Sequence, residues 1–328
     1  MSVRKLVVQI PCLNEEQTIR QTIADVPRRV PGVDVVEVLI IDDGSTDETL
    51  RAAREAGADH VLSFPQNRGL AAAFAAGLEH AVALGADIIV HTDADNQYAG
   101  SSIPDLLKPI LDQQADLVVG VRPIEQIEHF SWAKKRLQRL GSWVVRAVSK
   151  TDVADVTSGF RAYSREAAMR LTVISEFTFT HETLIQAGRT GIAVAQVPIA
   201  TNPQTRPSRL FSSIPQYIRR SLAAIFRIYA LYQPFRVFTG IGLVLFSGGV
   251  LLGIRYLYFV QIGQGRGHVQ SVILAGVLLM LGLQAAVVGL LADLIGANRK
   301  LLQESLYRIR RLEMAARSAP EDDRCAPG

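Results

Sequence analysis

In the first part of the chain the apolar positions come in short runs that end in polar clusters. Residues 5–11 are apolar and β-branched, and Asn14-Glu15-Glu16 then opens a stretch with Ile19, Ile23 and Val26 at helical spacing. Residues 35–41 run into Asp42-Asp43-Gly44-Ser45-Thr46-Asp47-Glu48, where Ser45 and Glu48 fit a capping box for a helix reaching about residue 56. A short strand over 60–64 leads through Asn67-Arg68-Gly69 into an Ala-rich helix ending near residue 84. The run beginning at Ile88 follows, then 117–121, which stops at Arg122, and finally 192–197. Strands alternating with helices at this spacing predict an α/β, Rossmann-like, mostly parallel sheet with helices on both faces. Ligands of such sheets bind beyond the strand C-termini.

Between those strands the pattern becomes helical. Residues 130–150 form a basic amphipathic stretch holding Trp132 and Trp143, which suit core or membrane-interface packing. Asp155-Val156-Thr157-Ser158-Gly159-Phe160-Arg161-Ala162-Tyr163 reads as turn-rich, with an acid and a base either side of a glycine. Helix resumes at 165–171 and again from Phe179, where His181 and Glu182 sit near the start. His181 fits local hydrogen bonding better than metal ligation. Residues 202–209 are rich in Pro and Arg and read as a loop carrying Arg206 and Arg209. Beyond it, 214–232 keeps Ile214, Ile218, Leu222 and Ile225 on one face with Arg219, Arg220 and Arg227 opposite or flanking, as in a helix lying in a membrane interface.

Two runs then change the class of protein. Residues 237–259 are apolar except for Arg255, and 272–292 are uncharged, so each matches the roughly 20 residues needed to cross a bilayer. Gly and Ser along both (Gly240, Gly242, Gly248, Gly249; Gly276, Gly282, Gly289) predict close helix approach and are compatible with a homo-oligomer. Arg236 precedes the first run, Arg266 stands alone in the connecting loop, and Arg299, Lys300, Arg308, Arg310 and Arg311 follow the second. By the positive-inside rule, both termini and the α/β domain are expected on the cytoplasmic side of the cell membrane. The expected domains are therefore 1–210, a juxtamembrane helix over 211–236, a transmembrane hairpin over 237–295, and a basic helix with a disordered tail over 296–328.

Composition narrows the chemistry. Hydrophobic residues make up 48% of the 328-residue chain, and mean hydropathy is +0.19, which the two apolar runs explain. A formal charge of +4 is too mild to point to nucleic acid. Two cysteines, Cys12 in an apolar strand and Cys325 near the end, make neither a disulfide framework nor a cysteine zinc site. No long apolar segment with a small-residue cleavage site opens the sequence.

The candidate chemistry lies at three strand ends: residues 11–15, Asp42-Asp43 and 93–97. Carboxylates accept hydrogen bonds from base N–H or ribose hydroxyl groups, the task Asp42 and Asp43 suit. A diphosphate instead needs a cation between itself and further carboxylates, the task Asp93 and Asp95 suit. Residues i and i+2 of an extended chain face one side, so Asp93, Asp95 and Gln97 can address one hard cation. Each acidic cluster also makes an ordinary turn or helix cap, and spacing alone does not separate the readings. Neither a Gly-x-Gly-x-x-Gly nor a Walker-type loop follows the first strand.

Taken in order, Pro11-Cys12-Leu13-Asn14-Glu15-Glu16, Ile41-Asp42-Asp43-Gly44-Ser45, Asn67-Arg68-Gly69, Asp93-Ala94-Asp95-Asn96-Gln97 and Thr157-Ser158-Gly159-Phe160-Arg161 resemble glycosyltransferase family 2. Within that family the chain is similar to the polyprenyl-phosphate glycosyltransferases. The resemblance implies a GT-A fold, a GDP- or UDP-linked nucleotide-sugar donor, Mg²⁺ or Mn²⁺, a polyprenyl phosphate acceptor and inversion at the anomeric carbon. It implies that Pro11, Asn14, Glu15, Asp42, Asp43, Arg68 and Asp93 bind donor, and that Asp93, Asp95 and Gln97 hold the metal. It places Asp155 opposite the acceptor, with Asp95 and Arg161 beside the chemistry, and Arg122, Arg206, Ser208 and Arg209 at phosphate. Family members often carry Ser-Lys where this chain has Ser208-Arg209; charge is kept but hydrogen-bond geometry differs. A processive polysaccharide synthase is expected to carry Gln-x-x-Arg-Trp, and a sugar-nucleotide pyrophosphorylase a Gly-rich N-terminal loop. Two alternatives stay open: a catalytically silent membrane partner that binds lipid, and a family 2 transferase with another acceptor.

Overall fold

In the computed structural model, which describes residues 3–122, 146, 149, 151–173, 179–202 and 232–318, the apolar runs become strands. They are β1 (Lys5–Cys12), β2 (Val35–Asp42), β3 (His60–Ser63), β4 (Ile88–His91), β5 (Leu117–Val121), β6 (Arg161–Ser164) and β7 (Val194–Pro198). One sheet holds them in the order β3-β2-β1-β4-β6-β5-β7. All neighbours are parallel except β6, which runs antiparallel to both β4 and β5. The sequence pattern reads this segment as turn. Arg161, Ala162 and Tyr163 are all buried, so a strand of four residues covered on both faces shows no alternation to detect.

Helices cover both faces of the sheet. The helices α1 (Ile19–Asp25), α2 (Thr49–Glu55), α3 (Leu70–Ala83) and α4 (Ile103–Leu111) follow the strands, with later helices at Arg165–Arg170 and Phe179–Thr190. On one face Ile19 and Ile23 of α1 and Ile103, Leu106 and Leu107 of α4 join Leu6, Val8, Ile10, Val90 and Val118 in one core. On the other, Phe74 of α3 stacks on Phe179, centroids 4.0 Å apart, and meets Tyr163 and His91. The capping box is not formed. The N-cap of α2 is Glu48, and Ser45 Oγ instead accepts the Asn14 N–H at 3.0 Å while Asp47 Oδ1 accepts the Thr49 N–H at 3.0 Å. A long-range bond between two loops has taken the hydroxyl that local pairing would have used.

The chain forms two compact units, Met1–Ser221 with Glu304–Gly328, and Leu222–Gln303. The second consists of most of two long helices, Pro234–Gln261 and Val269–Ser318. Both are long and apolar enough to cross a membrane, and only 11% and 17% of their apolar windows are covered, which a soluble core helix would reverse. The second helix is unbroken for 50 residues, whereas the sequence reading ends a span at 292 and starts another helix. Small residues form the seam between the pair. A Cβ on Gly242 would lie 2.6 Å from the Gly282 carbonyl oxygen, and one on Gly282 would lie 2.8 Å from both the Gly242 oxygen and the Phe246 nitrogen. Gly282→Leu is expected to force the helices apart at a cost of about 2 kcal/mol. A lowered melting temperature in detergent, with Gly276→Leu near wild type because nothing lies within 4 Å of that Cβ, checks it.

Within the first unit, the end of the last helix rests on the α/β domain. Tyr307 Oη donates to Glu166, Arg310 pairs with Glu79, and Arg310 Nη1 donates to the carbonyls of Met169 and Leu171 at 3.1 and 3.0 Å. Arg310 thus caps the helix Arg165–Arg170, a role its place in a basic run does not reveal.

Candidate active site

The first two strands end side by side, Cys12 opposite Asp42, and their loops lock together. Asn14 takes φ 54°, a left-handed turn that Asn tolerates, and its Oδ1 accepts the Thr46 N–H at 2.8 Å. Glu15 is nearly buried; its N–H donates to Thr49 Oγ1 and its carboxylate accepts from Thr18. Asp42 accepts from the Ser45 N–H at 2.9 Å and from Ser63 Oγ at 2.8 Å. Asp43 grips the next loop, taking the Arg68 and Gly69 N–H groups at 2.7 and 2.9 Å. Gly44 sits where a Cβ would come within 2.8 Å of the Gln66–Asn67 backbone, so the two loops meet only because that side chain is absent. Both buried carboxylates therefore spend lone pairs on the scaffold, with remaining acceptor capacity at each oxygen. Pro11 is buried beside them, while Arg68 is exposed with its guanidinium 4.9 Å from the Phe64 ring centroid.

Beyond β4, Asp93, Asp95 and Gln97 are part-exposed while Ala94, Asn96 and Tyr98 are buried. The alternation expected from the sequence is present, but not from an extended strand. β4 stops at His91, the chain turns at Ala94-Asp95, and Asn96 takes φ 55°. Asp95 Oδ1 accepts the Gln97 N–H at 3.2 Å, an Asx-type bond that fixes the turn. Asn202 donates through its backbone to the Gln97 carbonyl at 2.9 Å and through its side chain to the Asn96 carbonyl at 3.0 Å. Among the described residues no three His, Cys, Asp or Glu side chains converge as a complete metal cage. Two hard carboxylates and an amide are a donor set that would suit a Mg²⁺-type cation.

The 155–161 segment is tied inward. Asp155 is fully buried and accepts from Arg122 Nε at 2.7 Å and Nη2 at 3.2 Å, with Thr157 donating to it at 2.8 Å. Burial raises the Asp155 carboxyl's pKa, and the Arg122 guanidinium together with Thr157 outweighs it, leaving the group below its ordinary range. Arg122 therefore carries its own counter-ion inside the protein. Arg161, expected beside the chemistry, instead points inward. It is fully buried, and its guanidinium donates to the carbonyls of Ser158, Val156 and Thr180 and to Thr183 Oγ1 at 2.7–2.9 Å. Arg161 is a clamp between this segment and the helix Phe179–Thr190. Arg206, Ser208 and Arg209, together with the 130–150 and 214–232 helices less Arg146, Ser149 and Tyr232, lie outside the described residues.

Several neighbours of the site go unnoticed in the sequence. Tyr98 is buried, stacks on Phe160 at 5.1 Å and accepts the Gly159 N–H at 3.1 Å through its hydroxyl oxygen. This holds Gly159 against Asp93: a Cβ there would lie 3.3 Å from both Asp93 carboxylate oxygens. Gly159→Ala is expected to tilt that carboxylate by a few tenths of an ångström and cost about tenfold in turnover at limiting metal. The Mn²⁺ concentration for half-maximal rate measures it. His181, at the start of its helix, is pushed down to about 4 by burial and by Arg161, against Asp155, so it is neutral at pH 7. It shares a hydrogen bond with Thr180 at 3.2 Å, the local role its position suggests. Burial also pushes the His91 imidazole down, against the pull of Asp93.

Comparison with known proteins places this geometry. Residues 7–172 match the family model described as glycosyl transferase family 2. The polyprenol monophosphomannose synthase of Mycolicibacterium smegmatis is 30% identical over 207 residues, covering 60% of this chain and 77% of the relative. The UDP-N-acetylglucosamine–dolichyl-phosphate N-acetylglucosaminyltransferase of Methanococcus voltae is 29% identical over 226 residues, 61% of this chain and 87% of the relative. Among solved structures, glucosyl-3-phosphoglycerate synthase from Mycobacterium tuberculosis in complex with Mn²⁺, UDP and glucosyl-3-phosphoglycerate superimposes with a TM-score of 0.53 at 27% identity. That match covers 68% of this chain and 80% of the other.

Proposed function

Because the chain belongs to glycosyltransferase family 2, we propose that it transfers a hexose from a GDP- or UDP-linked donor to a polyprenyl phosphate at the cytoplasmic face of a membrane. The observation that carries this reading is the pair Asp93 and Asp95, presented to solvent at the C-terminal edge of β4 beside buried Asp42 and Asp43. Two long, largely uncovered apolar helices and relatives named for polyprenol and dolichyl phosphate acceptors support the lipid side. Arg236 in the first turn of the first helix and the basic residues from Arg299 in the last part of the second support a cytoplasmic location for both ends.

In this reading a lipid phosphate oxygen attacks the anomeric carbon as the bond from that carbon to the nucleoside diphosphate breaks, which inverts the centre. A phosphate monoester, with second pKa near ~6, is largely ionised at neutral pH and needs no strong base. Asp93 and Asp95, with Gln97 beside them, would hold a Mg²⁺ or Mn²⁺, which supplies a counter-charge to the departing diphosphate. Asn14, Glu15, Asp42, Asp43 and Arg68 frame the nucleoside pocket, the buried carboxylates fixing the loops and offering their remaining lone pairs. Asp155 acts through Arg122, fixing its guanidinium for an acceptor or donor phosphate.

The test incubates membranes containing the protein with labelled GDP-mannose, UDP-glucose or UDP-N-acetylhexosamine and polyprenyl phosphate. A metal-dependent, chloroform-soluble labelled product is expected from one donor. No product and no donor binding would leave a silent lipid-binding partner as the better description. A second reading, transfer to a small soluble phosphate, is favoured by the phosphoglycerate-utilising structural neighbour. It predicts a water-soluble product from phosphoglycerate in the same assay.

A further inference from the structure

The two strands at the centre of the sheet each carry one fully buried polar side chain on the face toward α3, and the sheet puts them together. Gln9 of β1 and His91 of β4 are register partners, both fully buried, with Gln9 Nε2 3.3 Å from His91 Nδ1. Phe74 and Phe179 wall the imidazole edge-on, with centroids at 5.0 and 4.7 Å. The other ring nitrogen, Nε2, has no hydrogen-bond partner within reach and lies 3.7 Å from Asp93 Oδ1. An amide N–H donated to Nδ1 places the ring proton on Nε2, pointing at the carboxylate. The opposite amide orientation would turn a lone pair toward Asp93, which a negative charge disfavours. Space for this amide is kept by Gly77 in the middle of α3, where a Cβ would overlap Gln9 Oε1 and come within 2.9 Å of Ile41. A mid-helix glycine is unfavourable for the helix, so its presence here is matched by a neighbour that requires it.

We propose that His91, oriented by Gln9, is a positioning residue for Asp93: its Nε2–H faces the Asp93 carboxylate from inside the sheet and fixes the direction in which that carboxylate meets a divalent cation. Gly159 approaches the same carboxylate, a Cβ there lying 3.3 Å from both of its oxygens. A closure of about half an ångström converts the 3.7 Å separation into an ordinary N–H···O bond. Outer partners of this kind set the basicity and orientation of the ligand they touch. The inference rests on the reading of Asp93 as a metal ligand.

The experiment uses the full chain in detergent and follows Mn²⁺ binding by electron paramagnetic resonance, with UDP and separately with GDP. The set is wild type, Asp93→Ala, His91→Phe, His91→Gln and Gln9→Met, each checked by its melting temperature without metal. His91→Phe keeps the aromatic shape and is expected to weaken Mn²⁺ binding about tenfold. His91→Gln, whose amide reaches the place of Nε2, is expected to restore affinity to within about threefold, and Gln9→Met to fall between. In turnover, His91→Phe should raise the Mn²⁺ requirement while kcat recovers at saturating Mn²⁺. Wild-type protein that binds no Mn²⁺ with either nucleotide removes the metal reading and this inference together. Loss confined to Asp93→Ala, or His91→Gln as weak as His91→Phe, overturns the inference alone. Where His91→Phe does not fold, Gln9→Met must still weaken binding more than His91→Gln, which must stay within about threefold of wild type; either failure overturns it.

Discussion

Asp95→Ala is expected to lower turnover on the order of 10³-fold while leaving the melting temperature within a degree or two of wild type. A carboxylate that holds a catalytic cation contributes several kcal/mol of charge stabilisation where the diphosphate departs, and about 4 kcal/mol corresponds to that factor. The fold loses little because Asp95 is part-exposed and its bond to the Gln97 N–H is local to the turn. Gln97→Ala is expected to cost less, about tenfold, since an amide oxygen carries no net charge. Initial rates across a Mn²⁺ titration separate the two. Near-normal activity of Asp95→Ala would end the metal reading, and a Gln97→Ala loss equal to or larger than that of Asp95→Ala would reverse the ranking.

Asp155→Asn is expected to act on stability first. Arg122 is 18% exposed and Asp155 0%, so neutralising the acid leaves a largely buried guanidinium without its counter-ion. Breaking one side of such a pair costs about 3 kcal/mol, on the order of 5–10 °C in melting temperature. The pH dependence follows from the depressed carboxyl. Its folded pKa lies below the unfolded value of about 3.9, so the pair's contribution is complete above that pH and is lost as pH falls through the folded pKa. Wild type should therefore lose stability in acid more steeply than Asp155→Asn. Parallel acid-melting curves for the two proteins would show that the pair is not the source. If Asp155→Asn, held at a temperature where it is folded, turns over normally with donor and metal binding unchanged, Asp155 has no place in the chemistry.

Period and punctuation made much of this molecule legible. The β1, β2 and β5 runs and the helix starting at Phe179 were read within a residue or two, because each is long or sharply bounded by polar residues. Two misreadings have one cause. β6 is four residues buried on both sides, and Ser45 left the capping box for Asn14 in another loop. In each, contacts distant in sequence outweighed the local signal.

The same division runs through the site. Sequence alone determined which chemistry was available: hard carboxylates at strand ends, arginines on intervening segments and two apolar spans, since charge, donor type and length belong to residues themselves. Only the tertiary structure decided which groups face solvent. It turned Arg161 into an internal clamp, bound Asp155 to Arg122, and set Gln9 and His91 in register behind Asp93. Burial and register are properties of the folded sheet, and a single residue letter carries neither.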